Sequence, residues 1–534
     1  MKEKSTDWLF RLLAFYFIVA MHIYWPNRGG SGFYLPWNIV GIILLAIITL
    51  VTMIMARPPL ARSCFFKHLM SGTVILLLPL LWTSAPYFGE ALPRFIGLLM
   101  GGAAYFSLLQ YRLNRQWRHW LLVLLLTANA IEACWAVLQY FWVMPDQTIP
   151  YGIFQQVNML ASFMACGLAL ALYLYCGSTT CRLQWLISLM LLLSPFLLLI
   201  SFSRIGLLAF ILLTPWQLAI LYRVSRRRCT LATFLIFAGV LAALLILDIK
   251  GAPRAITTLS TLSYRLIGWQ EAWIMLWEKP ILGWGYGSFQ YQFLHHIHQT
   301  QPGLLQSFNL SHPHNELLFW AVEGGLLSLF GIALLGLGLW RLLRRRLLLP
   351  RQPTPWIIIL PIALHMMVEY PLYLSAAHAI FLLVILRVCD VRQGYPQTAG
   401  TQQFTRITAG GLSLLTLLYM VNGLYSALII TAVEKQGLKP FSDMQRVIMP
   451  TPWQTRYDFD IHLYQLLQYP KSKDFTALLT YQQWAESEIR VRPEANIYFN
   501  LMLVNRLLQQ SQQATLLQLE AQRLFPEDMR FKEE

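Results

Sequence analysis

The run Ser311-His312-Pro313-His314-Asn315-Glu316 is the most polar short stretch of the chain, and it directly precedes an apolar segment that begins at Leu317. An imidazole can accept or release a proton near neutral pH, and the proline between the two histidines restricts the backbone. Two histidines two residues apart also suit a metal ion, and asparagine is a common helix cap. The run alone therefore supports proton-transfer chemistry and a capped, water-exposed helix start about equally.

Two arginines are candidates for binding an anionic group. Arg204 follows Ser203 between two apolar runs, and Arg265 precedes an aromatic-rich stretch that contains Trp269. The planar guanidinium can hold a phosphate through two hydrogen bonds, but a long basic side chain can also extend to lipid headgroups as an anchor. Taken singly, each arginine fits the anchor better. Together with a histidine, the two suit an anionic lipid substrate that has a pyrophosphate leaving group.

Amide and carboxylate side chains interrupt two other apolar stretches. Gln155-Gln156-Val157-Asn158 opens the predicted span 156–176, and Glu369-Tyr370-Pro371 lies within an apolar run. The amides could bind sugar hydroxyls, although their spacing favours helix capping. A carboxylate beside a tyrosine and a helix-breaking proline needs a polar partner in such surroundings. Packing and substrate binding remain about equally supported for this second group.

The composition indicates a polytopic membrane protein. The 534 residues are 57% hydrophobic and 12% charged, with a mean hydropathy of +0.50, which excludes an ordinary soluble protein. The net charge is +16, but residues 432–534 hold 12 basic and 13 acidic residues. The basic excess therefore lies in residues 1–431, in short clusters between apolar runs. Because this pattern sets membrane topology, nucleic acid is not expected as a partner.

Cysteine usage predicts neither disulfides nor a metal site. None of the seven cysteines lies in 249–315 or after 431, and their spacing matches no metal-binding motif. A cysteine-bound metal ion is therefore not predicted, and no cofactor is expected.

The apolar runs predict an all-α fold with about thirteen transmembrane helices. They lie at 8–25, 34–55, 69–83, 95–109, 119–143, 156–176, 183–201, 205–222, 230–248, 316–340, 355–370, 372–387 and 407–430. Basic clusters alternate between the connecting loops, which predicts a cytoplasmic N-terminus and an external C-terminus. This topology places Arg94, Arg204, the loop 249–315 and Glu369 on the outer face, which is the periplasmic face in a bacterium.

Residues 432–534 are predicted to form a separate helical domain outside the membrane. Pro493 and Pro526 each follow an amphipathic stretch and lie 33 residues apart, close to the 34-residue period of tetratricopeptide repeats. Two matches favour this repeat only slightly over a general helical bundle. Either arrangement would suit binding of a protein partner. The predicted domains are thus 1–431, with a periplasmic loop at 249–315, and 432–534.

The ordered motifs of the chain resemble those of a known family, the O-antigen ligase superfamily. The Glu-Tyr-Pro motif and the helical tail make the chain most similar to the bacterial O-linked protein oligosaccharyltransferases of the PglL type. The resemblance covers residues from about 150 to the end, and the segments that carry it are Phe154–Ala161, Ser203-Arg204, Arg265 with Trp269, Pro280 with Gly283 and Gly285, His312–Glu316, Glu323-Gly324-Gly325 and Glu369-Tyr370-Pro371.

The resemblance implies transfer of a glycan from undecaprenyl pyrophosphate to a hydroxyl of a periplasmic acceptor protein, such as a pilin, at the bacterial inner membrane. It implies no nucleotide sugar and no obligatory metal ion. By the same resemblance, His314 is the catalytic histidine, Arg204 and Arg265 hold the pyrophosphate, and further residues face the substrates. The last group is Gln156, Asn158, His312, Asn315, Glu369 and Tyr370.

One departure from the family and several alternatives affect these assignments. The glutamine lies in Gln-Gln-Val-Asn, where the family often has Gln-Pro-Asn, so Gln155 and Gln156 both remain candidates. Within the same enzyme class, an O-antigen ligase acting on lipid A-core or an O-antigen polymerase is the alternative. A transporter of lipid-linked glycans would place polar groups through the membrane depth, and a scaffold would leave the Arg, His and Glu-Tyr set unexplained.

Overall fold

The computed structural model describes residues 3–143, 149–177, 179–250, 258–347, 355–391 and 398–532. Within these ranges the regular elements are helices and no strand is formed, which confirms the predicted all-α membrane fold. The α-helices are α1 Glu3–Ala14, α2 Pro36–Met55, α3 Cys64–Leu77, α4 Ala85–Leu109, α5 Arg115–Leu138, α6 Val157–Tyr175, α7 Cys181–Ile200, α8 Arg204–Val224, α9 Arg226–Lys250, α10 Thr258–Glu278, α11 Phe289–Thr300, α12 Glu316–Leu347, α13 Leu360–Met366, α14 Pro371–Leu374, α15 Ala376–Cys389, α16 Ala399–Lys435, α17 Gln454–Ser472, α18 Phe475–Glu488, α19 Ala495–Leu507 and α20 Ser511–Leu524.

Ten of the described helices are long and apolar enough to cross a membrane, namely α2 to α9, α12 and α16. They coincide with ten of the thirteen predicted spans. The predicted span at 8–25 corresponds to α1, which continues through short π and 3₁₀ turns to His22. The two remaining predicted spans, 355–370 and 372–387, correspond to Pro355–Met366 and Ala376–Cys389. These helices are apolar but shorter than a full span. The total of thirteen spans stays a prediction.

The chain divides into two compact units. The first contains Met1–Met70, Gly97–Thr258 and Leu334–Leu424, and the second contains Ser71–Ile96, Leu259–Ala333 and Tyr425–Glu534. The tail therefore shares a compact unit with most of the predicted loop 249–315, of which residues 251–257 lie outside the described residues. The predicted boundary at residue 431 separates a membrane domain from a periplasmic domain, and it stays a prediction.

The first unit has a continuous apolar core. Its most buried helix is α6, along which residues such as Leu160, Phe163, Met164 and Leu170 are almost fully excluded from solvent. Helices α5, α7, α8 and α13 pack around α6. A polar side chain on α6 therefore has only protein groups as partners, and it must find a hydrogen bond among them.

The second unit contains two helices in the predicted loop and four in the tail. Helices α10 and α11 form one apolar cluster around Met275, Phe289 and Phe293. In the tail, α17 to α20 pack in consecutive pairs, and their core around Leu478 and Leu501 also includes Leu294 of α11. The tail helices are thus packed against α11. The tetratricopeptide-like arrangement stays a prediction.

Candidate active site

The histidine run forms a turn immediately before α12 in the second unit. His314 adopts a left-handed backbone conformation with φ 51°, which is uncommon for a residue with a side chain and costs some free energy. The rings of His312 and His314 lie edge to face, with centroids 4.4 Å apart. Trp269 Nε1 donates to the carbonyl oxygen of Pro313 at 2.7 Å. The turn therefore holds both imidazoles in defined positions.

Positive charge surrounds His312. The pKa of His312 lies well below its usual value because burial disfavours the charged ring, and because His314, Arg265 and Arg94 add positive charge nearby. The ring is consequently neutral at neutral pH, and the folded protein disfavours its protonation. The predicted residues Arg265, His312 and His314 are thus within electrostatic reach of each other in this unit.

Asn315 caps α12. Its Oδ1 accepts a hydrogen bond from the backbone N–H of Leu318 at 3.0 Å, the arrangement typical of an N-cap. The next residue, Glu316, is buried, and its Oε1 accepts from Trp320 Nε1 at 2.8 Å. Of the two interpretations left open by the sequence, the cap is formed here. The substrate-binding role of Asn315 stays a prediction.

A buried ion pair in the second unit, Arg94 with Glu323, was not among the predicted site residues. Arg94 Nη1 lies 2.7 Å from Glu323 Oε2, and the side chains are 8% and 1% exposed. The guanidinium also lies over the ring of Phe319, at 4.0 Å from its centroid. The sequence offered two signals for this pair, because Arg94 directly precedes an apolar run and Glu323 interrupts another. It did not show that the two residues meet.

Backbone hydrogen bonds join the glycine-containing segments 280–285 and 323–326. Gly325 breaks the helical path of α12, with φ 65° and ψ −162°. Near this break, the carbonyl oxygen of Glu323 accepts from the N–H of Gly285 at 2.9 Å, and the N–H of Leu326 donates to Pro280 at 2.7 Å. A Cβ at Gly325 would overlap the carbonyl oxygen of Ile281. The Gly-rich segment therefore holds α12 at its break around Gly325.

In the first unit, Glu369 is the centre of a polar cluster. Its Oε2 accepts from Gln156 Nε2 at 3.0 Å and its Oε1 from Asn158 Nδ2 at 2.9 Å. His365 Nε2 lies 3.1 Å from Oε2. The polar partner that a carboxylate needs in this apolar setting is thus present. Of the two candidate glutamines, it is Gln156 that contacts Glu369, whereas Gln155 takes a left-handed backbone conformation with φ 53°.

Arg204 begins the helix that follows this cluster. The preceding Ser203 donates to Asn158 Oδ1 at 2.8 Å, and its Oγ accepts from the N–H of Gly206 as the cap of α8. Arg204 is the first residue of α8, and its side chain is exposed. A cation at a helix N-terminus opposes the helix dipole. Its position therefore gives the helix no electrostatic benefit and suits binding of an anion.

Two side chains on α5 and just after it support the loop before Gln156. Gln139 Oε1 accepts from the N–H groups of Tyr151 and Gly152 at 3.0 and 2.8 Å. Glu132 Oε1 accepts from the N–H of Ile153 at 2.8 Å. These residues were not predicted as part of the site. The sequence feature that could have identified them is a carboxylate and an amide inside the apolar run 119–143.

Tyr370 lies at the break between α13 and α14. Its ring centroid is 5.7 Å from that of Tyr373, and Pro371 occupies the first position of α14, where a proline is well tolerated.

Among the described residues, no three His, Cys, Asp or Glu side chains are grouped to hold a metal ion.

Three family models match parts of the chain. The model described as "O-Antigen ligase" matches residues 189–335, and "Protein glycosylation ligase" matches 150–175. The model "Virulence factor membrane-bound polymerase, C-terminal" matches residues 354–534. The matched ranges contain every predicted site residue, from Gln156 to Tyr370. No curated protein matches the chain.

Proposed function

The chain belongs to the O-antigen ligase superfamily, with a match of the PglL type, and on this premise we propose that it transfers a whole glycan from undecaprenyl pyrophosphate to serine or threonine hydroxyls of periplasmic proteins. The general activity, an O-antigen ligase-type glycosyl transfer by a multi-pass membrane protein, is the one that the family indicates. The observation that supports the protein acceptor most directly is the glycosylation ligase match at 150–175. That segment supplies Gln156 and Asn158, whose amides Glu369 binds.

The proposed reaction inverts the anomeric carbon. The acceptor oxygen attacks that carbon and forms the new glycosidic bond, while the bond to the pyrophosphate oxygen breaks. His314 takes the hydroxyl proton, and undecaprenyl pyrophosphate leaves with the bonding electrons. Arg204 and Arg265 stabilise the negative charge that develops on the leaving group. General-base catalysis of this kind contributes about 10²–10⁴ in rate, and the activated donor supplies the driving force.

The proposed setting is the bacterial inner membrane, with the reacting groups and residues 432–534 on the periplasmic side. The tail would position the acceptor protein. Its packing against α11 supports this role, because residues beyond α16 then belong to the same compact unit as the histidine turn. The partners are the lipid-linked glycan, the acceptor protein and membrane lipid.

A second candidate is an O-antigen polymerase or a ligase that uses lipid A-core as the acceptor. The polymerase model matched over residues 354–534 favours it. The chemistry at the donor would be the same, and only the acceptor hydroxyl would differ.

Expression in cells that lack their own ligase but make a lipid-linked glycan separates the candidates. We expect glycan on periplasmic protein, and none when His314 is replaced with Ala. Glycan on lipid A-core alone would assign the chain to the second candidate. A Ser194→Ala variant provides a control, because this buried serine on α7 has no assigned role.

A further inference from the structure

Four hydrogen bonds link Ser375 to Glu369 through the interior of the first unit. Ser375 Oγ lies 2.9 Å from His378 Nδ1, and His378 Nε2 lies 3.0 Å from Ser162 Oγ. Ser162 Oγ lies 2.9 Å from His365 Nδ1, whose Nε2 is 3.1 Å from Glu369 Oε2. All five side chains are buried, and both imidazoles are 0% exposed. Two histidines fully buried among apolar helices require a specific reason to be there.

The hydrogen-bond chemistry gives all four contacts one direction. An ionised carboxylate can only accept, so His365 Nε2 donates to Glu369. The Nδ1 of a neutral His365 then accepts, and its donor is the Ser162 hydroxyl, which lies 2.9 Å from this nitrogen and 3.2 Å from the carbonyl oxygen of Met159. The oxygen of Ser162 accepts in turn from His378 Nε2, whose Nδ1 accepts from the hydroxyl of Ser375. Every group is satisfied while both histidines stay neutral and Glu369 carries the negative charge.

The charge on Glu369 also fixes the amides on its other side. Because the carboxylate only accepts, Gln156 and Asn158 must both turn their NH₂ groups towards it. Asn158 Oδ1 then points to Ser203, which donates to it at 2.8 Å. Among the described residues, the Gln156 side chain makes only the bond to Glu369, and it is partly exposed. Its carbonyl oxygen is therefore left as an acceptor.

We propose that His365, Ser162 and His378 are positioning residues that keep Glu369 ionised, so that Gln156 presents its carbonyl oxygen to a hydroxyl or amide N–H of the glycan substrate. This inference rests on the proposed function for its substrate. The orientation itself depends only on the hydrogen bonds. If Glu369 gained a proton, it could donate to His365, the four bonds could reverse, and the Gln156 amide would lose its fixed direction.

The test measures the protonation of Glu369 in the purified full-length protein by infrared spectroscopy. The band of the protonated carboxyl group is identified by its loss in Glu369→Gln. His365→Leu removes the donor to Glu369 and keeps a side chain suited to an apolar interior. His365→Gln keeps an N–H close to the position of the imidazole Nε2. Ser162→Ala interrupts the chain one step away, and Ser194→Ala is the matched control for a buried serine.

Loss of a hydrogen bond to a charged group should move the protonation of Glu369 to higher pH by about one to two units in His365→Leu. We expect a smaller shift in Ser162→Ala and the wild-type midpoint in His365→Gln and Ser194→Ala. The acid limb of the pH profile of transfer should move in parallel. The other charged or titratable groups on the packed elements, Arg204, Tyr370 and Tyr373, are unchanged in all variants.

An unchanged midpoint in both His365→Leu and Ser162→Ala would overturn the proposal, as would a shift in His365→Gln equal to that in His365→Leu. If His365→Leu does not fold, Ser162→Ala decides, because it removes one buried oxygen atom only. The infrared measurement needs no turnover. A shifted midpoint in a protein that transfers no glycan would therefore support the positioning network and reject the proposed function.

Discussion

Replacing Glu323 with Gln would remove a negative charge that pairs with Arg94 in the interior of the second unit. The pair is joined at 2.7 Å and is almost fully buried, and loss of one partner from such a pair costs about 3–5 kcal/mol. The new amide can still accept from the N–H of Phe289, which lies 3.2 Å from Glu323 Oε1. The ring of Phe319 also retains part of the stabilisation of Arg94. We therefore expect the free energy of unfolding to fall by about 3 kcal/mol, near the lower end of this range.

A double-mutant cycle with Arg94→Met tests the assignment. Each single variant leaves one buried charge without its partner, whereas Arg94→Met/Glu323→Gln leaves none. The double variant should therefore be destabilised by clearly less than the sum of the two single losses. The assay is unfolding in mixed micelles with increasing SDS, followed by tryptophan fluorescence, for the four proteins of the cycle. Losses that add to within about 0.5 kcal/mol would refute the argument, because they would show two independent sites.

Three further predictions concern the second unit and the arginines. The lowered pKa of His312 means that protonation of this residue is less favourable in the folded state than in the unfolded state. The residue therefore destabilises the folded protein as the pH falls below about 6.5. His312→Gln should reduce the fall in melting temperature between pH 7.5 and pH 5. Arg204→Lys and Arg265→Lys should each lower transfer at least tenfold, because an ammonium cannot make the two-pronged contact with phosphate oxygens; full activity in both would favour lipid anchoring. Glu527→Ala should speed hydrogen exchange at the N–H of Ser307, which donates to Glu527 at 2.7 Å; unchanged exchange would contradict a supporting role of the tail.

The membrane fold was predictable because it depends on local properties. Long apolar runs show in the sequence wherever a helix must cross a bilayer, and ten predicted spans correspond to described helices. The two short apolar helices before and after Glu369 correspond to the predicted runs 355–370 and 372–387, but they are shorter than those runs. Helices α10 and α11 lie inside the predicted loop, where no apolar run of span length marks them.

The partners of the site residues were not predictable from one sequence. Glu369 was expected to need a polar partner, but Gln156 lies 213 positions away from it along the chain. His365 and His378 lie in apolar runs and carry no local motif, and only the shared contact with Ser162 shows that they form a network. The same holds for Arg94 and Glu323. Single polar residues in apolar runs thus marked positions that make buried polar contacts, while the partners in those contacts depend on the tertiary structure.

The central claim is the transfer of a glycan to protein, and it is tested most directly with the purified full-length chain in lipid vesicles, a lipid-linked glycan donor and a folded acceptor protein. Intact mass of the acceptor is measured for the wild type and for His314→Ala. We predict a mass gain of one whole glycan with the wild type, together with release of undecaprenyl pyrophosphate, and no gain with the variant. An acceptor of unchanged mass, with the glycan lengthened on its lipid carrier or joined to added lipid A-core, would contradict the claim.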